Sequence, residues 1–325
     1  MKRSRYTIAT IIILIVIFVG LKAFEWWNTT YWDEIRYFAP SWTPDNKICF
    51  IKEIKNNSKL EHIYFPLSLL TFGLETVNSF GEPEYYLCSM DIDGSNKKEI
   101  AKMPQGYTPD LISWARNNSV IVLSGKIDIK GQREEIKIAS LKPDGTQFKY
   151  ISDGAMADVS SDGSKIAYVN NGIWIANIDG SNQKNIQKTG FHPLWSPDGK
   201  VLGFENYING RYDGNYISDI NNSNNTKIWA HGFINWSQDN NHIWTAKGMI
   251  DAKGKLIKKY PEDYNGKSVP YGPLSPDSVI VVSAFRRDDF YIGDINGNET
   301  NTLLAFQMIN YGNTNRKQMH DIWIQ

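Results

Sequence analysis

This sequence has no excess of positive or negative charge and no metal ligands at the spacing of a binding motif. Each absence argues against a class of function. Its 325 residues carry 35 Lys and Arg against 35 Asp and Glu, so no overall basic surplus attracts nucleic acid. The five histidines, at positions 62, 192, 231, 242 and 320, are not spaced from one another or from a cysteine as zinc ligands are. We therefore predict no nucleic-acid partner, no metal and no other cofactor.

Catalytic signatures are missing as well. The sequence has no G-x-S-x-G stretch, which carries the nucleophile of α/β-hydrolases. The segment MDIDGSN (90–96) begins like a calcium loop, but Lys102 stands where that loop needs a glutamate. The neighbouring carboxylates Asp288 and Asp289 follow two arginines in FRRDDF (285–290), so these charges compensate one another. We expect a protein that is not an enzyme.

The first 25 residues form a long apolar run behind a basic start. Three cations within the first five residues precede an uncharged run of 16 residues, 6–21, and two tryptophans follow at 26 and 27. This pattern predicts an uncleaved signal anchor, a transmembrane helix over 1–25, followed by a juxtamembrane linker over 26–36. The basic end would stay in the cytoplasm and the rest would be periplasmic or extracellular. Cleavage of the run as a secretory signal is the alternative.

A motif of the form apolar residue, four-residue turn and β-rich run occurs six times in the remaining sequence. The best example is FHPLWSPDGKVLGF (191–204), in which Pro and Asp suit a tight turn and Gly takes its strained position. The Asp or Asn of this turn stands at positions 45, 117, 162, 198, 239 and 277. Apart from the first interval of 72 residues, the spacings are 45, 36, 41 and 38.

A second motif follows each copy of the first. It is a strand, a turn rich in Asp, Asn and Gly, and another strand, as in GIWIANIDGSNQKNI (172–186). Each repeat of about 40 residues therefore supplies four strands in two hairpins, which is typical of a propeller blade. We predict an all-β fold, a six-bladed β-propeller of four-stranded antiparallel blades that occupies residues 37–325.

These motifs resemble the TolB-type β-propeller repeat, a WD40-like repeat close to W-S-P-D-G-x-x-I-A-F followed by I-x-x-x-D-x-D-G. The resemblance covers nearly the whole chain after the apolar run, and the second copy departs from it with Ala-Arg-Asn-Asn at 115–118. It implies a propeller without the N-terminal α/β domain of TolB and without a peptidase domain. The resemblance specifies the fold more closely than the function.

The long first interval indicates an insertion at residues 54–84, between the second and third strands of the first blade. Its segment FPLSLLTFGL (65–74) is apolar and includes Phe65, Leu69 and Phe72. The insertion is either a loop that folds onto the propeller or a flap that binds a partner or dips into a membrane. Cys49 and Cys88 flank it on strands expected to be neighbours, so they form either a cross-strand disulfide or two buried thiols.

The ligand face is predicted where the loops between second and third strands gather. The segment ENYINGRYDGN (205–215) places Tyr207, Arg211 and Tyr212 on this face, and rings and arginines are common at binding hot spots. The other candidates there are the loop residues Arg286 and Arg287 and two histidines at the channel mouth, His192 and His231.

The sequence favours a membrane-tethered propeller outside the cytoplasm that binds a protein or peptide partner in the cell envelope without catalysing a reaction. The alternative is a lyase or hydrolase that acts on envelope glycans or peptides, with a site assembled across blades at the channel mouth.

Overall fold

The computed structural model of the protein describes residues 29–64, 73–129, 133–221, 225–228, 234–237, 239–245, 248–251, 253–259, 280–285, 289–294, 299–304 and 307–312. Every regular element in these ranges is a β-strand. The same ranges contain no helix that is long and apolar enough to cross a bilayer. The anchor predicted over 1–25 lies outside the described residues.

In chain order the strands are β1 (Thr29–Trp42), β2 (Ile48–Tyr64), β3 (Gly73–Phe80), β4 (Glu84–Met90), β5 (Lys98–Lys102), β6 (Tyr107–Trp114), β7 (Ile121–Ile129), β8 (Arg133–Leu141), β9 (Lys149–Asp153), β10 (Ala155–Val159), β11 (Lys165–Val169), β12 (Ile173–Asn177), β13 (Lys184–Gln187), β14 (Phe191–Trp195), β15 (Val201–Ile208), β16 (Arg211–Asp219), β17 (Asn225–Ile228), β18 (Ile234–Trp236), β19 (His242–Thr245), β20 (Gly248–Asp251), β21 (Leu256–Lys259), β22 (Ile280–Phe285), β23 (Asp289–Asp294), β24 (Glu299–Leu304) and β25 (Gln307–Gly312).

The chain divides into two compact units, and the larger one comprises residues 36–52 and 84–306. Its described strands form five four-stranded sheets in chain order, β1-β2-β4-β5, β6 to β9, β10 to β13, β14 to β17 and β18 to β21, followed by the three-stranded sheet β22 to β24. We number them as the first to the sixth sheet. The predicted pair of hairpins is therefore confirmed for the first five repeats, and the fold is all-β with repeated four-stranded antiparallel sheets, as in a propeller.

The core of the larger unit lies between successive sheets. In the second sheet, Ile121 and Leu123 pack with Leu87 of the first sheet, whereas Val122 packs with Tyr168 of the third. Successive residues of a strand point to opposite faces, so one strand serves two interfaces. Further clusters join the third sheet to the fourth and the fourth to the fifth. Burial on both faces explains why these strands are apolar almost throughout.

The turn between the first two strands of a sheet is held by a serine or threonine and an aspartate. In the third sheet, the Ser160 hydroxyl donates to Asp162 over 2.6 Å, and the backbone N–H of Ser164 donates to the same carboxylate over 3.0 Å. Corresponding hydroxyl–carboxylate pairs are Thr43–Asp45, Ser196–Asp198 and Ser237–Asp239. The repeated Asp therefore has the structural role that the turn chemistry predicts.

Replacing Asp162 with alanine should lower the free energy of unfolding by about 1–2 kcal/mol at pH 7, because the turn loses its shared acceptor. The hydroxyl of Ser160 and then the backbone N–H of Ser164 hold the pKa of Asp162 below its ordinary 3.8. A lowered folded pKa stabilises the fold above pH 3.8, and this contribution is lost as the pH falls through the folded value. Urea unfolding at pH 7 and pH 3 tests this, since the difference from wild type should shrink at pH 3. Glu134→Ala, which removes an exposed ion pair with Lys126, is the control and should change little.

Successive sheets also meet through glycines in the turns between third and fourth strands. A Cβ on Gly180 of the third sheet would lie 2.2 Å from the carbonyl oxygen of Ile151, in the outer strand of the second sheet. Gly145 stands in the same relation to Ile100, one sheet earlier, also at 2.2 Å. The glycine therefore allows the backbones of neighbouring sheets to approach, besides accepting the positive φ of the turn.

The smaller unit comprises residues 1–35, 53–83 and 307–325. Its described part contains the antiparallel pairing of β1 with β25, from Tyr31↔Gly312 to Ile35↔Gln307, and that of β2 with β3, from Asn57↔Phe80 to Tyr64↔Gly73. The insertion expected at 54–84 thus contains a β-hairpin. Three candidate residues of the insertion, Phe65, Leu69 and Phe72, lie outside the described residues.

Cys49 and Cys88 are free, buried thiols, so the disulfide alternative is wrong. Cys49 packs with Leu87 in the cluster between the first and second sheets. Because neighbouring residues of a strand point to opposite faces, Cys88 points away from that cluster. Burial raises the pKa of Cys88 to about 12, as befits an unreactive thiol.

Candidate functional site

The larger unit contains a cavity of about 380 Å³. The first strands of the first five sheets, β1, β6, β10, β14 and β18, all contribute residues to its wall. These strands contribute, in order, the wall residues Ala39, Asp110, Met156, His192 and Asn235. A common cavity lined by first strands is what radial packing of sheets produces, and propeller channels commonly hold ligands there.

Three residues of the cavity wall adopt a left-handed backbone. The φ angles of Ala39, Met156 and His192 are 53°, 53° and 49°, and these residues occupy matching places in β1, β10 and β14. Alanine, methionine and histidine rarely adopt positive φ. In β10 and β14 the strand pairing shifts register at this point. Strained backbone that recurs around one cavity is typical of a functional site.

Asp158 joins three successive sheets beside the cavity. Its carboxylate accepts a hydrogen bond from the Ser113 hydroxyl of the second sheet over 2.6 Å and one from the backbone N–H of Trp195 in the fourth sheet over 2.7 Å. Burial raises its pKa to about 6. These two donors and the Arg116 guanidinium oppose the rise. Both carboxylate oxygens are therefore engaged within the fold.

Arg116 and Asp110 are the other charged residues of the cavity wall. Both residues are exposed to the cavity, and desolvation by the cavity wall lowers the pKa of Arg116 and raises that of Asp110. The charge of Asp158 opposes the lowering of the Arg116 pKa. The charge of Lys126 opposes the rise in the Asp110 pKa. Within the part of the chain that the structure describes, Arg116 makes no hydrogen bond and no ion pair. Its five N–H donors are therefore available to a ligand.

A second candidate surface lies on the fourth sheet, at the end of the β15–β16 hairpin. The ring of Tyr207 contacts Phe191 edge-on at 5.1 Å and Tyr212 edge-on at 5.6 Å. We call these three rings the aromatic shelf. The Tyr207 hydroxyl donates to the Glu205 Oε2 atom over 3.3 Å, and the Nδ1 atom of His192 lies 3.5 Å from the same oxygen. Burial, and then Glu205, raises the pKa of Tyr207.

The structure brings together three of the predicted site residues, Tyr207, Tyr212 and His192, through Glu205 and the shelf. Arg211 lies at the hairpin tip, paired with Ile208 in the strand register, and is exposed. Two further residues of this surface, the buried Glu205 and the exposed Phe191, were not predicted from the sequence. Three other candidates, His231, Arg286 and Arg287, lie outside the described residues.

The sequence held only weak signals for the cavity residues. Arg116 occupies the position that Pro44 holds in the first repeat, so the departure Ala-Arg-Asn-Asn marked it without indicating a role. Asp158 and Asp110 carried no motif signal, because their importance depends on residues from other repeats. Among the described residues, no group of three or more His, Cys, Asp or Glu is placed to hold a metal ion.

No family model and no curated protein matches the chain. Solved structures similar to it include oligogalacturonate lyase from Vibrio parahaemolyticus, with 12% identity, a TM-score of 0.48 and coverage of 86% of this chain and 90% of that one. A TolB-like protein from Agrobacterium tumefaciens has 13% identity, a TM-score of 0.44 and coverage of 87% and 91%. The β-propeller domain of the trilobed protease from Pyrococcus furiosus has 13% identity, a TM-score of 0.39 and coverage of 58% and 70%.

The repeated four-stranded sheets, their face-to-face packing and the shared cavity are the features that the repeat motif predicted for this chain. The described sheets thus agree with the β-propeller repeat that the sequence motifs resemble.

Proposed function

We propose that this protein is a non-enzymatic, six-bladed TolB-like propeller, tethered outside a membrane by a helix at 1–25, that binds a protein or peptide partner in the cell envelope. The sixth blade would extend the three strands β22 to β24, and the propeller would occupy residues 37–325 with its insertion at 54–84. The observation that carries the proposal is the aromatic shelf and the arginine beside it.

The shelf has the composition and the rigidity of a protein-binding surface. Phe191 is 40% exposed and Ile208 is 53% exposed, so apolar surface is open to a partner. Tyrosine, phenylalanine and arginine are enriched at interfaces, because their large rigid groups bury area at little entropic cost. The ring contacts and the Tyr207–Glu205 hydrogen bond hold the shelf in place before a partner arrives.

The hairpin that carries the shelf is longer than its counterpart in the third sheet. The paired strands β15 and β16 have 8 and 9 residues, whereas their counterparts in the third sheet, β11 and β12, have 5 each. The register continues to Ile208↔Arg211 at the tip. The additional residues carry Tyr207 and Arg211 beyond the length of a shorter hairpin, where a partner can reach them.

Cross-linking capture from native membranes, with the full-length protein, tests this proposal. The double variant Phe191→Ala/Tyr207→Ala should lower recovery of the partner by at least about tenfold, because two hot-spot rings are lost. Tyr150→Ala is the matched control, since Tyr150 is a 41% exposed tyrosine with an edge-on contact to Tyr107 on the second sheet. This variant should recover as much of the partner as wild type does. Equal capture by the shelf variant, or no partner in any sample, contradicts the proposal.

One observation favours the alternative, an envelope lyase or hydrolase acting on glycans or peptides. Asp110 has a raised pKa and opens into the cavity that Arg116 and His192 also line, and an acid, a cation and an imidazole in one cavity are the parts of acid–base catalysis. Incubation with oligogalacturonate and with peptides, followed by product detection, distinguishes the two. Turnover that Asp110→Asn abolishes would replace the binding proposal with this one.

A further inference from the structure

We infer that Arg116 makes the central cavity of the larger unit a binding site for a carboxylate, carried by a small organic acid or by the C-terminus of a peptide. This site differs from the aromatic shelf and does not rest on the function proposed above. It lies in the cavity lined by the first strands of five sheets, whereas the rings of the shelf, Phe191, Tyr207 and Tyr212, do not line that cavity.

The first argument is the unused hydrogen-bonding capacity of Arg116. A guanidinium presents five N–H donors in a planar fork, a geometry that a carboxylate matches with two parallel hydrogen bonds. No described residue accepts from Arg116, although it lines the cavity. Arg116 is exposed to the cavity, so a ligand can reach it, and the desolvation that lowers its pKa also reduces the screening of an ion pair by water.

The second argument is that Asp158 forms neither a hydrogen bond nor an ion pair with Arg116. Asp158 lowers the cost of burying Arg116 through its charge, but its oxygens already accept from Ser113 and from the Trp195 backbone. No ion pair within 4.0 Å joins Asp158 to Arg116. Because Asp158 is bound into the wall, a ligand carboxylate can approach the guanidinium without displacing an existing partner.

The third argument concerns the charge and shape of the ligand. Two acids, Asp110 and Asp158, line the same cavity, so a doubly charged phosphate meets more repulsion than a single carboxylate does. Trp114 also lines the cavity, and its Nε1–H donates to the Asn118 side chain over 2.9 Å, which fixes the indole. A carboxylate with an aromatic or apolar body therefore fits better than a small inorganic anion.

Calorimetric titration of the full-length protein in detergent tests the site, with N-acetyltryptophan as the acid probe and N-acetyltryptophanamide as its neutral match. The acid should bind at least about tenfold more tightly than the amide, because only the acid pairs with a charged donor. In Arg116→Gln, the acid should bind only as tightly as the amide does. In Arg116→Lys, part of the difference in affinity between acid and amide should remain. Arg133→Gln, which removes an exposed arginine that pairs with Glu135 outside the cavity, is the control and should bind the acid as wild type does.

A second arm distinguishes the sources of the carboxylate. If a pool of random hexapeptides with free C-termini displaces the acid probe and the C-terminally amidated pool does not, the source is a peptide terminus. If neither pool displaces it, the source is a small acid. The inference is overturned if acid and amide bind alike, if the acid does not bind, or if Arg116→Gln, with an unchanged circular dichroism spectrum, binds the acid as wild type does. Cross-linking measures partner binding by the aromatic shelf, and titration measures acid binding in the cavity. Either proposal can therefore fail without the other.

Discussion

Replacing Gly180 with alanine should lower the free energy of unfolding by at least about 3 kcal/mol, because a strained backbone conformation and a clash with a neighbouring backbone add together. The φ angle of Gly180 is +86°, which an L-residue adopts only with strain, and the new Cβ would lie 2.2 Å from the Ile151 carbonyl oxygen. The atom it meets belongs to the backbone of the neighbouring sheet, so no side-chain rotation relieves the clash. Urea unfolding at pH 7 measures the loss.

Gly210→Ala is the matched control for this prediction. Gly210 has a φ angle of +74° in another hairpin turn, but no atom lies within 4 Å of its would-be Cβ. It should therefore lose only the conformational penalty, about 1–2 kcal/mol. The difference between the two variants measures the contact between sheets. Equal losses would show that Gly180 serves the turn alone and that the sheets do not depend on this approach.

Acidification should strengthen the contribution of Asp158 to stability. Its folded pKa of about 6 lies above the ordinary 3.8, so between these values the folded state holds a proton that the unfolded state has released. Stability from this group is therefore fully present below pH 3.8 and is lost as the pH rises through 6. The full change corresponds to about 3 kcal/mol at 1.36 kcal/mol per pKa unit, an upper bound because solvent in the cavity screens the charge.

Unfolding of wild type and Asp158→Asn at pH 7, 6, 5 and 4.5 isolates this contribution, since all other titrating groups are common to both proteins. The variant should lose stability relative to wild type as the pH falls from 7 to 4.5. Asp144→Asn is the control: hydrogen bonds from Thr146 hold the pKa of this exposed carboxylate below its ordinary value, so its difference from wild type should not change over that range. A constant difference for Asp158→Asn would mean that the carboxylate is fully solvated.

Local patterns in the sequence determined the repeated unit of this protein. Alternating apolar residues predict strands, and Ser-x-Asp and Asp-Gly turns predict where each hairpin reverses, because these signals act over a few neighbouring residues. Four strands per repeat at a period near 40 residues then leave a stack of sheets as the arrangement that buries both faces. The glycine of the second hairpin was explained by its positive φ, and its contact with Ile151 emerged only from the structure.

The tertiary structure decided which side chains share a site. Ser113, Asp158 and Trp195 come from three repeats, yet hydrogen bonds join them, and no local pattern encodes a contact across such distances. The strand register placed Cys49 and Cys88 on opposite faces, which sequence spacing alone left open. The same packing placed Arg116 in the cavity wall near Asp158, whose carboxylate already accepts two hydrogen bonds. The pairing of β14, β15 and β16 assembled the shelf from Phe191, Tyr207 and Tyr212. Short-range periodicity thus specified the sheets, whereas their mutual packing created the cavity and the surface on which function depends.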